Sequence, residues 1–202
     1  FLLVVVGGSL GLFAARVDAL KDKHKPYLIS REGGLLLNNV FLSVALLTVL
    51  LGTIYPLLID ALNLGKLSVG APYFNSVFVP LMLPVLALMG FGVNARFHQD
   101  TWQRLGLLLK VAFLLSILSP ILIFIWFKAP IQPLVFLGLA LGVWVILATC
   151  KSLKTRLEIF QLRQIGLRFW GMFFAHIGVA ITVLGISVSA GFGLEQDIKL
   201  MP

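Results

Sequence analysis

The chain has 202 residues, 59% of them hydrophobic and 12% charged, with a mean hydropathy of +1.03. A soluble domain of this length needs a far more charged surface, so the composition excludes a water-soluble globular fold and points to a polytopic membrane protein. The net charge of +8 is read as a topology signal and not as a nucleic-acid footprint, because basic residues collect in the inward-facing loops of such proteins.

A helix needs about 20 mainly apolar residues to cross the hydrocarbon core. By that rule the chain carries six spans, over 1–16, 35–59, 77–97, 104–126, 131–150 and 170–190. Backbone groups in lipid must bond internally, so the expected fold is all-α, a single transmembrane helical bundle. The chain opens on Phe1 inside the first apolar stretch and ends at Pro202 shortly after the last. It therefore reads as an internal piece of a longer protein. Pro80, Pro84 and Pro120 fall inside spans, where neighbouring helices can tolerate the kinks they cause.

The loops alternate in charge. Arg16, Lys21, Lys23, Lys25 and Arg31 belong to the first loop, Arg96 and Arg104 to the third, and Lys151, Lys154, Arg156, Arg163 and Arg168 to the fifth. Against these twelve, the even and trailing segments hold only Lys66, Lys128 and Lys199. The odd loops, 17–34, 97–103 and 151–169, are thus expected to face inward, with both chain ends outside. Lys110 lies inside the fourth span and can snorkel inward.

The second loop holds a turn signal at Gly70-Ala71-Pro72. Tyr73 and Phe74 suit an aromatic belt, and Asn75 can cap the next helix. In the fifth loop, Leu153, Leu157 and Phe160 recur at helical spacing among basic residues. That pattern predicts an amphipathic helix on the inner surface over 151–169; an ordinary basic loop is the alternative. Cys150 is the sole cysteine, so the chain can form no internal disulfide and holds no C-x-x-C-H haem-attachment motif.

His176 stands inside the sixth span, near-surrounded by aliphatic and aromatic side chains. An ionisable group there is by default a functional-site hypothesis. It shares a helix face with Met172, Val179, Ala180 and Val183. That face lies beside a stripe of small residues, Gly171, Ala175, Gly178, Thr182, Gly185 and Ser189, of the kind that lets a second helix approach closely. Three roles compete. A proton path usually needs intramembrane carboxylates, and all eight acidic residues lie in loops or at span ends. A structural hydrogen bond and ligation of a haem iron remain open, since neutral imidazole is the commonest metal ligand and haem is apolar enough to sit between helices. His24 and His98 lie in inward loops; His98, near the end of the third span, is a distant second-ligand candidate. With its helix entering near Trp170, the imidazole sits about 9 Å into the bilayer at 1.5 Å per residue.

Three stretches carry a resemblance: SREGGLLLNNVFLSVALLTVLLGTIYPLL from Ser30, SVGAPYFNSVFVP from Ser68 and RFWGMFFAHIGVAITVLGI from Arg168. With the Ser30-Arg31-Glu32 triplet, the Asn38-Asn39 pair, Gly52-Thr53, the Pro72–Asn75 turn and the Gly-Met-x-x-Ala-His-x-Gly run, the chain resembles the CcmF-type cytochrome c maturation proteins, haem lyase subunits of the system I pathway. The resemblance runs along nearly the whole chain. It implies that His176 is an axial ligand of a stable b-type haem, haem b, which relays electrons from quinol to the haem being attached to apocytochrome c. Arg96 or Arg168 could then pair with its propionates. The implied partners are apocytochrome c, a haem chaperone, CcmH-type thiol-handling subunits, quinol and the lipid bilayer, with no nucleic acid. The implied location is a bacterial inner membrane, or a mitochondrial one. The family's second axial histidine, its Trp-rich signature and two external histidines should precede these residues. Trp102, Trp126, Trp144 and Trp170 are scattered and do not form that signature, which leaves the paralogue serving nitrite-reductase maturation as an option. Outside this family, a multi-pass transporter or haem exporter would favour repeated halves with broken helices, and a purely structural membrane subunit would bind no chromophore.

Overall fold

The computed structural model describes residues 2–20, 30–66, 68–97, 100–159, 161 and 164–193. They form six α-helices: α1 (Leu2–Leu20), α2 (Arg31–Ala61), α3 (Ala71–Asn94), α4 (Trp102–Phe127), α5 (Pro133–Leu157) and α6 (Leu167–Phe192). There is no strand among the described residues. Helices α2 to α6 are long and apolar enough to cross a membrane, while α1 offers a shorter apolar stretch, Leu3–Val17. The fold is the all-α helical bundle that the composition demands, with five full-length spans and one short one.

Local chemistry moves several helix ends beyond the apolar spans. α2 begins at Arg31 because Ser30, in extended conformation, accepts a hydrogen bond from the Gly33 amide at 3.0 Å, with Glu32 in the first turn. The Arg31 amide donates to the Arg96 carbonyl at 2.8 Å, which ties the start of α2 to the end of α3. α3 starts at Ala71, with Gly70 as its cap and Pro72 in the first turn, where a missing N–H costs nothing. The expected capping role of Asn75 is therefore corrected: it lies inside the helix. Tyr73 and Phe74 pack back on α2. The Tyr73 hydroxyl donates to the Thr48 carbonyl at 3.3 Å, and a Cβ at Gly52 would lie 2.7 Å from the Tyr73 ring. Pro56, Pro80, Pro84 and Pro120 all sit within helices.

α5 is the centre of the bundle and packs on α3, α4 and α6. Its Val145 and Ala148 are fully buried. Trp144 crosses to α3, where its indole N–H donates to the Ala87 carbonyl at 3.1 Å and its ring fills the space that a side chain at Gly90 would need. α5 also runs on to Leu157, with Lys154 and Arg156 in its last turn, where cations complement the helix dipole. Among the described residues no separate helix stands between α5 and α6, where a surface helix over 151–169 was expected. Residues 151–157 prolong α5, and Glu158 and Ile159 form a turn after it. Arg156 reaches over the Phe169 ring at 4.5 Å and clips the two helices together.

The close contact between α5 and α6 comes from glycines of α5. A Cβ at Gly142 would meet Leu184 at 2.8 Å, and one at Gly138 would collide with the Ser187 hydroxyl. The small-residue stripe of α6 behaves differently from expectation: Gly171, Gly178 and Gly185 have open space beside them among the described residues.

Candidate functional site

α2 packs chiefly on α3, and α6 on α5. The two outer helices leave between them a cleft of about 930 Å³, lined by α2, α3, the start of α5 and α6. That volume lies near the upper end of the range for small-molecule and cofactor sites, which are mostly apolar with a few placed polar groups. Here the apolar wall is supplied by residues such as Phe78, Met82 and Leu86 of α3 and Val179 and Val183 of α6. The polar groups are Arg31, Asn38, Asn75, Gln132, His176 and Ser187.

His176 is half-buried and lines this cleft, as do Met172, Val179 and Val183 from the face assigned to it by helical spacing. Ala180 departs from that set. It is fully buried in the core cluster formed with Trp144, Val145 and Ala148. The His176 Nδ1 lies 2.8 Å from the Met172 carbonyl oxygen. A carbonyl can only accept, so Nδ1 carries a proton and donates; in a neutral ring that leaves the lone pair on Nε2. No described residue bonds Nε2. An imidazole whose Nδ1–H is tied to a backbone carbonyl is fixed in tautomer and rotation and presents Nε2 as a metal ligand.

Among the described residues, no three His, Cys, Asp or Glu side chains cluster as a metal site. A single imidazole on an apolar wall suits a metal that brings most of its own ligands, as a porphyrin iron does. One free imidazole nitrogen, an apolar slot and this volume fit a haem. His24 and His98 lie outside the described residues. Neither Arg96 nor Arg168 lines the cleft; the cation that does is Arg31, at the first position of α2. Sequence reasoning passed over Arg31 and Asn38 as cleft residues. Their signal was the seven-residue spacing, which puts both on one face of α2.

The end of the bundle where Arg31 sits is knitted by polar contacts. Asn94 donates to the Ala148 carbonyl at 2.9 Å, and Arg104 donates to the Asn94 carbonyl at 3.0 Å. Asp100, its side chain 1% exposed, accepts from Arg104 Nε at 2.8 Å and from the amides of Arg96 and Thr101 at 2.9 and 2.8 Å. The Arg104 guanidinium, foremost, holds the Asp100 carboxyl well below the usual carboxylate range, the two amides add to this, and burial opposes it.

No family profile matches the chain. Among curated proteins, it is 37% identical over 200 residues to the cytochrome c-type biogenesis protein CcmF of Escherichia coli K12, covering 99% of this chain and 31% of that protein. It is 42% identical over 210 residues to CcmF of Pseudomonas aeruginosa, covering 100% of this chain and 31% of the relative. The cytochrome c-type biogenesis protein NrfE of Haemophilus influenzae is 34% identical over 209 residues, covering 98% of this chain and 31% of its own length. A solved structure, the cytochrome c haem lyase CcmF, superposes with a TM-score of 0.60 at 30% identity over 82% of this chain and 26% of that one. With apolar helices in the same fold, the chain is a multi-pass membrane protein. It spans about a third of the length of the curated relatives it matches, and it belongs to the CcmF family of cytochrome c-type biogenesis proteins.

Proposed function

We propose that this chain forms the haem-holding, electron-relaying part of a cytochrome c haem lyase in a bacterial inner membrane. The observation that carries the proposal is His176, with Nδ1 bonded to Met172 and Nε2 without a partner among the described residues, on a cleft of about 930 Å³. Its Met172 bond holds the ring at one angle and makes Nε2 a better donor to iron. The apolar walls on α3 and α6 exclude water from the ligand edge. A bound b-type haem would supply reversible one-electron chemistry, and its potential would be set by the axial imidazole and the burial around it. On this reading the group held by His176 would supply electrons drawn from quinol for the haem that is linked to apocytochrome c, with a haem chaperone and CcmH-type thiol-handling subunits as partners.

The test is His176→Ala in the full-length protein. Alanine is the best helix former, so α6 should still form and insert. We expect the reduced b-type absorption to be lost or severely changed, cytochrome c maturation to fall, and His176→Gly with added imidazole to regain part of the spectrum. An unchanged reduced spectrum in His176→Ala would overturn the assignment and leave the histidine with a structural hydrogen bond.

A further inference from the structure

The cleft carries polar groups at both ends, neutral Asn75, Gln132 and Ser187 at one, but its guanidinium at the other. At the end where α2 begins, it is lined by the Arg31 guanidinium and, two turns further along the same helix face, by the Asn38 amide. At 1.5 Å per residue the two positions are about 10 Å apart along the helix axis. Neither side chain has a hydrogen bond or ion pair with a described residue. At this end of the bundle the Asp100 carboxylate is engaged elsewhere, by Arg104 and by the amides of Arg96 and Thr101. The guanidinium instead lies 4.9 Å from the centre of the Phe97 ring. Stacking on an aromatic face leaves the in-plane N–H donors of an arginine free, and those donors match a carboxylate bidentately.

A half-buried cation with no ion pair among the described residues, at one end of a largely apolar slot, favours an occupant that brings negative charge. We propose that Arg31, with Asn38 beside its path, is a carboxylate-anchoring end of the cleft. It orients an amphiphilic, acid-bearing ligand with its carboxylates toward the basic end of the bundle and its apolar body toward Val179 and Val183. This rests on the reading of the cleft as a haem site and adds to it the direction in which the group lies. Arg31 is a positioning residue; His176 remains the group that touches iron.

The full-length protein, purified from haem-depleted cells, would be titrated with iron protoporphyrin IX and with its dimethyl ester, which lacks the two negative charges. Wild type should prefer the free acid by about tenfold, which corresponds to about 1.4 kcal/mol, within what one charge-assisted hydrogen bond contributes. Arg31→Gln should lose that preference while still binding both porphyrins through His176, and Arg31→Lys should keep part of it. The midpoint potential of the bound iron should fall in Arg31→Gln, since removing a cation favours the more positive ferric state. Equal binding of acid and ester by wild type overturns the anchor and needs no variant that folds. So does an Arg31→Gln protein with undiminished preference. Either result leaves the His176 reading standing, because loss of the axial spectrum in His176→Ala is a separate observation. Failure of wild type to bind either porphyrin overturns both.

Discussion

His176 and Asp100 are polar side chains held by opposite means. His176 spends one nitrogen on its own helix and leaves the other open. Asp100 spends both oxygens, on Arg104 and on two amides. Its pKa is lowered from the ordinary value of 3.8, so the stabilisation is fully present above about that pH and is lost only as pH falls toward the folded value. Asp100→Asn should therefore lower the thermal midpoint in detergent, by an amount corresponding to about 1–3 kcal/mol. The gap to wild type should stay constant from pH 8 to 5 and close below pH 4; a gap that narrows between pH 8 and 6 would mean another group is responsible. Thr149 is a different case. It is fully buried in α5 and its hydroxyl finds no partner among the described residues. Thr149→Val keeps the shape and removes an unpaid desolvation cost, so it should raise the same midpoint by about 1 kcal/mol.

At the scale of helices, the packing of α6 is decided by α5. Glycines 138 and 142 let Ser187, Leu184 and the α6 backbone come close, whereas the glycines of α6 at 171, 178 and 185 have free space beside them. Gly142→Leu should force the two helices apart and sharply reduce accumulation, by the cost of overpacking a tight contact. Gly178→Leu should be better tolerated. Western quantitation of both variants in membranes decides it, and a more damaging Gly178→Leu would show that the stripe on α6 is an occupied interface in the whole protein. Gly90 plays the same part between α3 and α5, since Trp144 fills the volume beside it.

For the molecule as a whole, the basic ends of the helices gather together. Arg31 meets Arg96 and Phe97, Arg104 meets Asn94, and Arg156 meets Phe169. At the opposite end Phe192 of α6 packs on Phe124 and Phe127 of α4. If the basic end faces inward, single cysteines at residues 64 and 130 should label with an impermeant thiol reagent from outside, and a cysteine at 156 only after permeabilisation. The exposed Cys150 must first be replaced, by Cys150→Ser, to remove the background. Labelling of intact cells at position 156 would reverse the orientation.

Much of this was legible without coordinates. Apolar length alone determines that the chain is a helical membrane bundle, because lipid offers no other partner for backbone groups. Helical period alone places His176 with Met172, Val179 and Val183, because a face is a property of one helix. Helix ends were less legible: Ser30, Pro72 and the α5 extension to Leu157 act through caps and polar turns that an apolar count ignores. The cleft could not be read at all. It exists because α2 pairs with α3 and α6 with α5, leaving a gap between the pairs, and which helix pairs with which depends on side chains far apart in the chain. For the same reason Arg31, and neither Arg96 nor Arg168, turned out to be the cation of the site. Charge and period say that a residue lies at the basic end on a given face, and only tertiary packing decides whether that face borders a cavity.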